Sequence, residues 1–309
     1  MYPELLQALG HAEAAPPRAA FVCVCDSQAT DADFVLLHFL SQYVRAQWRV
    51  CLASHRRTLL HWAMIAKKFV RCLCRFIFPT FARRKPMFDP RCFPSCPRAQ
   101  NINLAALERS GQLCFVDGLG MVIDEACSAQ PVNPWRAFES RVHAAFAAPP
   151  PSSAASSDAI ASSSAALPSQ PPQPPWRGNV LIWDGVTEML MHHGVDAPRE
   201  AHAHALACVQ RLVAFMTADG AGSLVALAHR DAGDLDAPLL ALLRRRAALC
   251  IDVLPLETGA SRSVSGQLRM AARYSADDVG GDLRALAPRH YKLTESALRV
   301  FMPGAINMS

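Results

Sequence analysis

The chain is poor in charge, poor in long apolar runs, and lacks phosphate-binding residues in the loop after its first apolar run. Charged residues make up 18% of its 309 residues, against 51% hydrophobic ones. That balance excludes a disordered polyelectrolyte and leaves a globular chain. No stretch of about 18 strongly apolar residues occurs, so no membrane span is expected. Met1 to Gly10 lacks a basic start followed by an apolar stretch, and no secretory signal is expected. Eleven cysteines then predict reduced thiols rather than a disulfide frame, in a cytoplasmic protein or one shared with the nucleus. Cys23, Cys25, Cys51, Cys114 and Cys250 sit in apolar runs and read as small core hydrophobes.

The net charge of +5 suits a nucleic-acid partner, but one segment holds all of it. Val70 to Gln100 carries seven Arg or Lys and one Asp, so the rest of the chain is slightly acidic. This segment has no periodicity. Its Cys72, Cys74, Cys92 and Cys96 depart from the paired C-x2-C spacing of zinc sites, and no metal is expected. It reads either as an irregular basic insert or as retained intron sequence. Val codons begin GT, one Gln codon ends AG, and removing 70–100 joins Phe69 to Asn101 in frame. Ala147 to Pro175, dense in Pro, Ser and Ala, predicts a disordered loop inside one domain spanning 1–309.

Apolar runs and helical stripes alternate along the rest. Ala19–Cys25, Trp48–Ala53, Gln112–Val116, Asn179–Trp183, Ser223–Ala228 and Leu249–Leu254 predict strands. Asp33–Ala46, Thr58–Phe69, Ala201–Ala218 and Leu239–Ala248 predict helices, the first capped by Asp31 or Asp33. The alternation predicts an α/β fold with a mostly parallel sheet flanked by helices. Gln267–Ala272 and Leu298–Met302 predict late strands that pair antiparallel at one edge.

Ligands of such sheets bind at the carboxyl ends of the strands. A phosphate cradle there needs glycines, a Lys and a Ser or Thr. The first loop, Asp26-Ser27-Gln28-Ala29-Thr30-Asp31-Ala32-Asp33, has no Gly and no Lys, and its three carboxylates would repel a triphosphate. Asp26 and Asp184, each closing an apolar strand, therefore read as positions of a degenerate nucleotide site. No catalytic residue, cofactor or metal is expected. His192, His193, His202 and His204 read as solvated or packed. Arg244, Arg245 and Arg246 read as a solvated helix face or as RNA contacts.

Several segments, in order, resemble the sixth-subunit family of the Elongator complex. They are Cys25-Asp26 leading to Phe34–Leu40, Arg49–Ala53, Glu108–Leu113 leading into Phe115–Leu119, Val180–Asp184 and Ala228–Asp234. Val264–Arg269, Tyr291–Leu293 and Phe301–Gly304 complete the series. The resemblance implies a RecA-like fold without a phosphate loop. It also implies a non-catalytic subunit that joins the fourth and fifth subunits in a hexameric accessory ring. That ring would bind tRNA and dock on the catalytic Elongator subcomplex, which modifies the wobble uridine. The alternative from the residues alone is a small-molecule enzyme on a doubly wound sheet, with Asp184 and His229 in its site.

Overall fold

The computed structural model describes residues 20–66, 102–126, 133–147, 176–193, 198–218, 220, 222–230, 237–259, 261, 263–273, 283–294 and 298–304. The insert at 70–100 and the Pro/Ser/Ala-rich stretch, apart from Ala147, lie outside these residues.

Every described strand belongs to one sheet. In chain order they are β1 (Phe21–Asp26), β2 (Arg49–Ser54), β3 (Leu113–Asp117), β4 (Asn179–Asp184), β5 (Gly222–His229), β6 (Leu249–Leu254), β7 (Gly266–Ala272), β8 (Arg284–Ala285), β9 (Arg289–Leu293) and β10 (Leu298–Phe301). Their spatial order is β10-β9-β7-β6-β1-β5-β4-β2-β3, with β8 paired to β7. All neighbours from β6 through β3 run parallel, and those beyond β6 run antiparallel. This is the α/β architecture expected from the alternating pattern.

The pairing of the late strands differs from the sequence expectation. β7 does not pair with β10. It pairs with β6 on one side and β9 on the other, and β10 joins β9. The sequence reading missed β9 because RHYKL carries three basic side chains and only Tyr291 of the strand is buried.

The strands are apolar on both faces because helices cover both, as parallel sheets require. On one face Val22, Val24, Leu52, Ile182, Val225 and Ile251 pack under α1 (Asp33–Arg45), α2 (59–66) and α3 (Leu104–Arg109). On the other, Cys23, Cys25, Cys51, Leu181, Trp183 and Ala226 pack under α4 (Gly118–Ala126), α5 (Pro134–Ala147), α6 (Val186–His193), α7 (Pro198–Thr217) and α8 (Ala237–Arg246). The alternation of the two sets along each strand is the period of two. Of the cysteines read as core hydrophobes, Cys23, Cys25, Cys51 and Cys250 are buried and Cys114 is half-buried.

Helix α1 is more than a one-sided stripe. Every residue from Asp33 to Tyr43 is buried, including His38 and Gln42. Its N-cap is Ala32, with no side-chain cap. Asp31 instead accepts from the Asp33 N–H at 2.9 Å, so one of the two expected cap residues serves the start of the helix from one position earlier. Helix α5, unread in the sequence, buries Trp135, Phe138, Val142 and Ala145 at spacings of three and four. No helix among the described residues is long and apolar enough to cross a membrane.

Candidate functional site

Register alone assembles a polar cluster at the carboxyl edge. Four neighbouring strands, β2, β4, β5 and β1, end in Ser54, Asp184, His229 and Asp26. Ser54 lies opposite Asp184, and Asp26 lies opposite His229. An apolar strand that stops in a polar residue delivers that residue to the edge. Four such strands in step deliver a row.

The two positions read as a degenerate nucleotide site, Asp26 and Asp184, are thus brought together. Both are 0% exposed. Arg56, just past β2, spans them: its Nη1 lies 3.9 Å from Asp26 Oδ2 and 3.6 Å from Asp184 Oδ1. Its Nε sits 3.1 Å from Glu188 Oε1, on the first turn of α6. His229 Nδ1 contacts Asp26, and its Nε2 is 2.6 Å from Glu188 Oε1. Ser54 Oγ donates to Asp184 Oδ2 at 2.7 Å and accepts from the Arg57 N–H at 2.9 Å. Gly185 turns the chain between Asp184 and α6 at φ +92°. A Cβ there would lie 2.9 Å from Glu188 Oε2 and 3.0 Å from Arg56 Cγ, so both the turn and the salt bridge need glycine.

Sequence reasoning missed Arg56, Glu188 and Ser54. Each follows or ends an apolar strand, so its position was legible, but the partners come from separate stretches and only the register joins them. Asp184 and His229, the pair of the enzyme alternative, do share this cluster. Each is already held by its own ion pair.

The loop from β1 to α1 is closed on itself. The Ser27 N–H donates to Thr30 Oγ1 at 3.1 Å, and the Thr30 N–H to the Ser27 carbonyl at 3.0 Å. The Ala32 N–H donates to Asp26 Oδ2 at 3.2 Å, and Thr30 Oγ1 donates to the Val253 carbonyl at 2.9 Å. Backbone donors that a phosphate cradle would turn inward are therefore spent within the chain.

Charges in the cluster are tuned by burial and by each other. A neutral imidazole has one N–H, yet both nitrogens of His229 face carboxylates, so the ring is held as imidazolium. Burial opposes this, but the hydrogen bonds that the ring donates to Asp26 and Glu188 prevail and push its pKa up to about 10. Burial raises the Asp184 carboxyl, against the pull of Arg56 and Ser54. Burial also raises Glu188, but His229 and Arg56 leave it below the usual range. Beside them Arg57 pairs with Asp33 and Asp31. Burial, with Asp31 adding to it, pushes Asp33 up to about 8.

The linkage gives a pH prediction. The contribution of His229 is complete below its ordinary value of 6.5 and is lost as pH rises through about 10. Asp33, favoured neutral when folded, works the same way as pH rises through about 8. The urea midpoint should therefore fall steadily from pH 6.5 to 10. In His229→Gln it should start lower and fall less. An equally steep fall in the variant would remove His229 as the source.

The arginines flagged as RNA candidates close α8 at the opposite edge of the sheet. Arg244 is engaged by Asp252, whereas Arg245 and Arg246 are exposed. His202 is half-buried and His204 exposed on α7; the side chains of His192 and His193 lie outside the described residues.

The family model for Elongation complex protein 6 matches residues 2–76. Elongator complex protein 6 of Xenopus laevis is 26% identical over 290 residues, covering 87% of this chain and 85% of that protein. The Rattus norvegicus protein of the same name is 23% identical over 307 residues, covering 98% of each. The human protein of that name is 23% identical over 277 residues, covering 88% and 86%. Among solved structures, a KaiC-like protein from Pyrococcus horikoshii aligns over 93% of this chain and 91% of its own, at 9% identity and a TM-score of 0.48.

Proposed function

We propose that the chain is a member of the Elongator complex protein 6 family and a non-catalytic, RecA-like subunit of the Elongator accessory ring. In this reading all 309 residues form one domain. The chain assembles with the fourth and fifth subunits into a hexamer that binds tRNA for wobble-uridine modification by the catalytic subcomplex. It works in the cytoplasm, with a share in the nucleus.

The observation that carries the non-catalytic reading is the internal ion pairing of the carboxyl edge. Three carboxylates, Asp26, Asp184 and Glu188, face two cations, Arg56 and His229, all from this chain. The loop donors beside them are consumed internally. A triphosphate would have to displace Arg56 and then meet uncompensated carboxylates. Isothermal titration of the full chain with Mg-ATP should give no heat at micromolar nucleotide. Micromolar binding would support an enzyme or ATPase instead.

Assembly is tested by co-expression with the fourth and fifth subunits of the same source, followed by size exclusion with light scattering. The expected result is one complex with two copies of each subunit. A monodisperse chain that ignores both partners would turn attention to the small-molecule enzyme, for which the meeting of Asp184 and His229 is the supporting feature.

A further inference from the structure

The amino edge of the sheet collects cations that the sequence keeps apart. Arg245 and Arg246 end α8, immediately before β6. Leu249 of β6 lies opposite Ala272 of β7, and Ala272 lies opposite Arg284 of β8. Arg273 follows Ala272. Its N–H donates to the Ala248 carbonyl at 2.9 Å, and its guanidinium donates to the Arg245 carbonyl. Arg177 stands exposed just before β4 on the same edge, three strand spacings from β6, or on the order of 14 Å.

The members of this group differ in what they do. Arg244 neutralises Asp252. Arg273 ties the end of α8 to the end of β7, where a cation also complements the helix C-terminus. Arg245, Arg246, Arg177 and Arg284 are exposed, and among the described residues Arg245 and Arg246 make no ion pair within 4.0 Å. The exposed large apolar side chains among the described residues, Leu60, Met64, Ile123, Met191, Phe215 and Met302, lie outside α8, β6, β7 and β8. Two adjacent exposed guanidinium groups, Arg245 and Arg246, with no ion pair among the described residues, match a polyanion rather than a protein face.

We propose that this arginine edge, with Arg245 and Arg246 at its centre, contacts the phosphodiester backbone of RNA, independently of base sequence. The proposal rests on the RNA-binding reading above and assigns it a surface. Arg273 acts as a positioning residue, holding the end of α8 in place.

The test uses the full chain and a fluorescein-labelled tRNA transcript, with anisotropy titrations at several KCl concentrations. Arg245→Ala/Arg246→Ala leaves the Arg244–Asp252 pair intact. It lowers the net charge by two, as does the control Arg199→Glu, at an exposed site on α7. Losing two phosphate contacts should lower the slope of log K against log salt by about 1.4 to 1.8 and weaken binding about tenfold at low salt. The control should stay within about twofold of the parent at the same salt. Circular dichroism confirms that both variants are folded. An unchanged slope, an equal loss in the control, or no tRNA binding by the parent chain would overturn the proposal. Co-expression with the fourth and fifth subunits separates the two readings. A chain that fails to assemble yet loses slope on Arg245→Ala/Arg246→Ala keeps the surface and loses the ring.

Discussion

Arg56→Ala should destabilise the chain by about 3–5 kcal/mol, because it removes one partner from a buried charge network and leaves the others uncompensated. Asp184 would keep its Ser54 hydroxyl but lose its cation, at a site with no exposure. Asp26 and Glu188 would be left to share His229 alone. Urea unfolding at pH 7 measures the loss. The decisive comparison is a double-mutant cycle. Asp184→Asn costs stability in the parent, because it breaks the pair from the other side. In the Arg56→Ala background it should restore part of the loss, giving a coupling of about 1 kcal/mol or more. Arg56→Lys should recover little, since one ammonium cannot present Nε to Glu188 while Nη1 lies between two aspartates. A cost below about 1 kcal/mol without coupling to Asp184 would mean that the network contributes nothing measurable, as exposed ion pairs often do.

Trp183→Ala should cost about 3–5 kcal/mol by a different route, the cavity left by a large buried ring. Trp183 is fully buried on β4. Its ring lies 4.6 Å from Phe138 and 6.4 Å from Trp135, both on α5. Its Nε1 donates to His55 Nδ1 at 3.2 Å. The residue therefore fixes both the seat of α5 and the segment that carries Arg56. At roughly 2–4 °C per kcal/mol for a chain of this size, the melting temperature should drop by about 10 °C. Trp183→Phe keeps part of the contact with Phe138 but loses the donor and the volume of the second ring, so it should cost about 1–3 kcal/mol, less than alanine. If alanine and phenylalanine behave alike, the hydrogen bond rather than the packing holds this region.

The strands of the parallel sheet were legible because burial on both faces makes each a short continuous apolar run. Asp26 and Asp184 were legible for the related reason that each ends such a run. Arg56 and Glu188 were not. Their roles depend on β2 and β4 being neighbours while β1 lies two strands beyond, and no local pattern carries strand order. Helices α3 and α6 were missed because six and eight residues give too few turns for periodicity to register. β9 was hidden by its charges. The arginines at the end of α8 were visible, but only the antiparallel return of β7 and β8 shows that Arg273 and Arg284 join them.

The position of β1 sets a timetable for synthesis. Its two neighbours in the sheet are β5 and β6, so Phe21 waits for Leu224, and Val22 for Leu249, more than two hundred residues later. At about 5–20 residues per second, the run Phe21-Val22-Cys23-Val24-Cys25 leaves the ribosome some 10–40 s before its neighbours do. It is apolar, rich in β-branched residues and uncharged until Asp26, which is the profile of a segment that pairs with the wrong strand. Newly made chains should therefore depend on a holding chaperone until β5 and β6 emerge. Their yield in cells should follow chaperone supply as closely as it follows the stability of the finished fold.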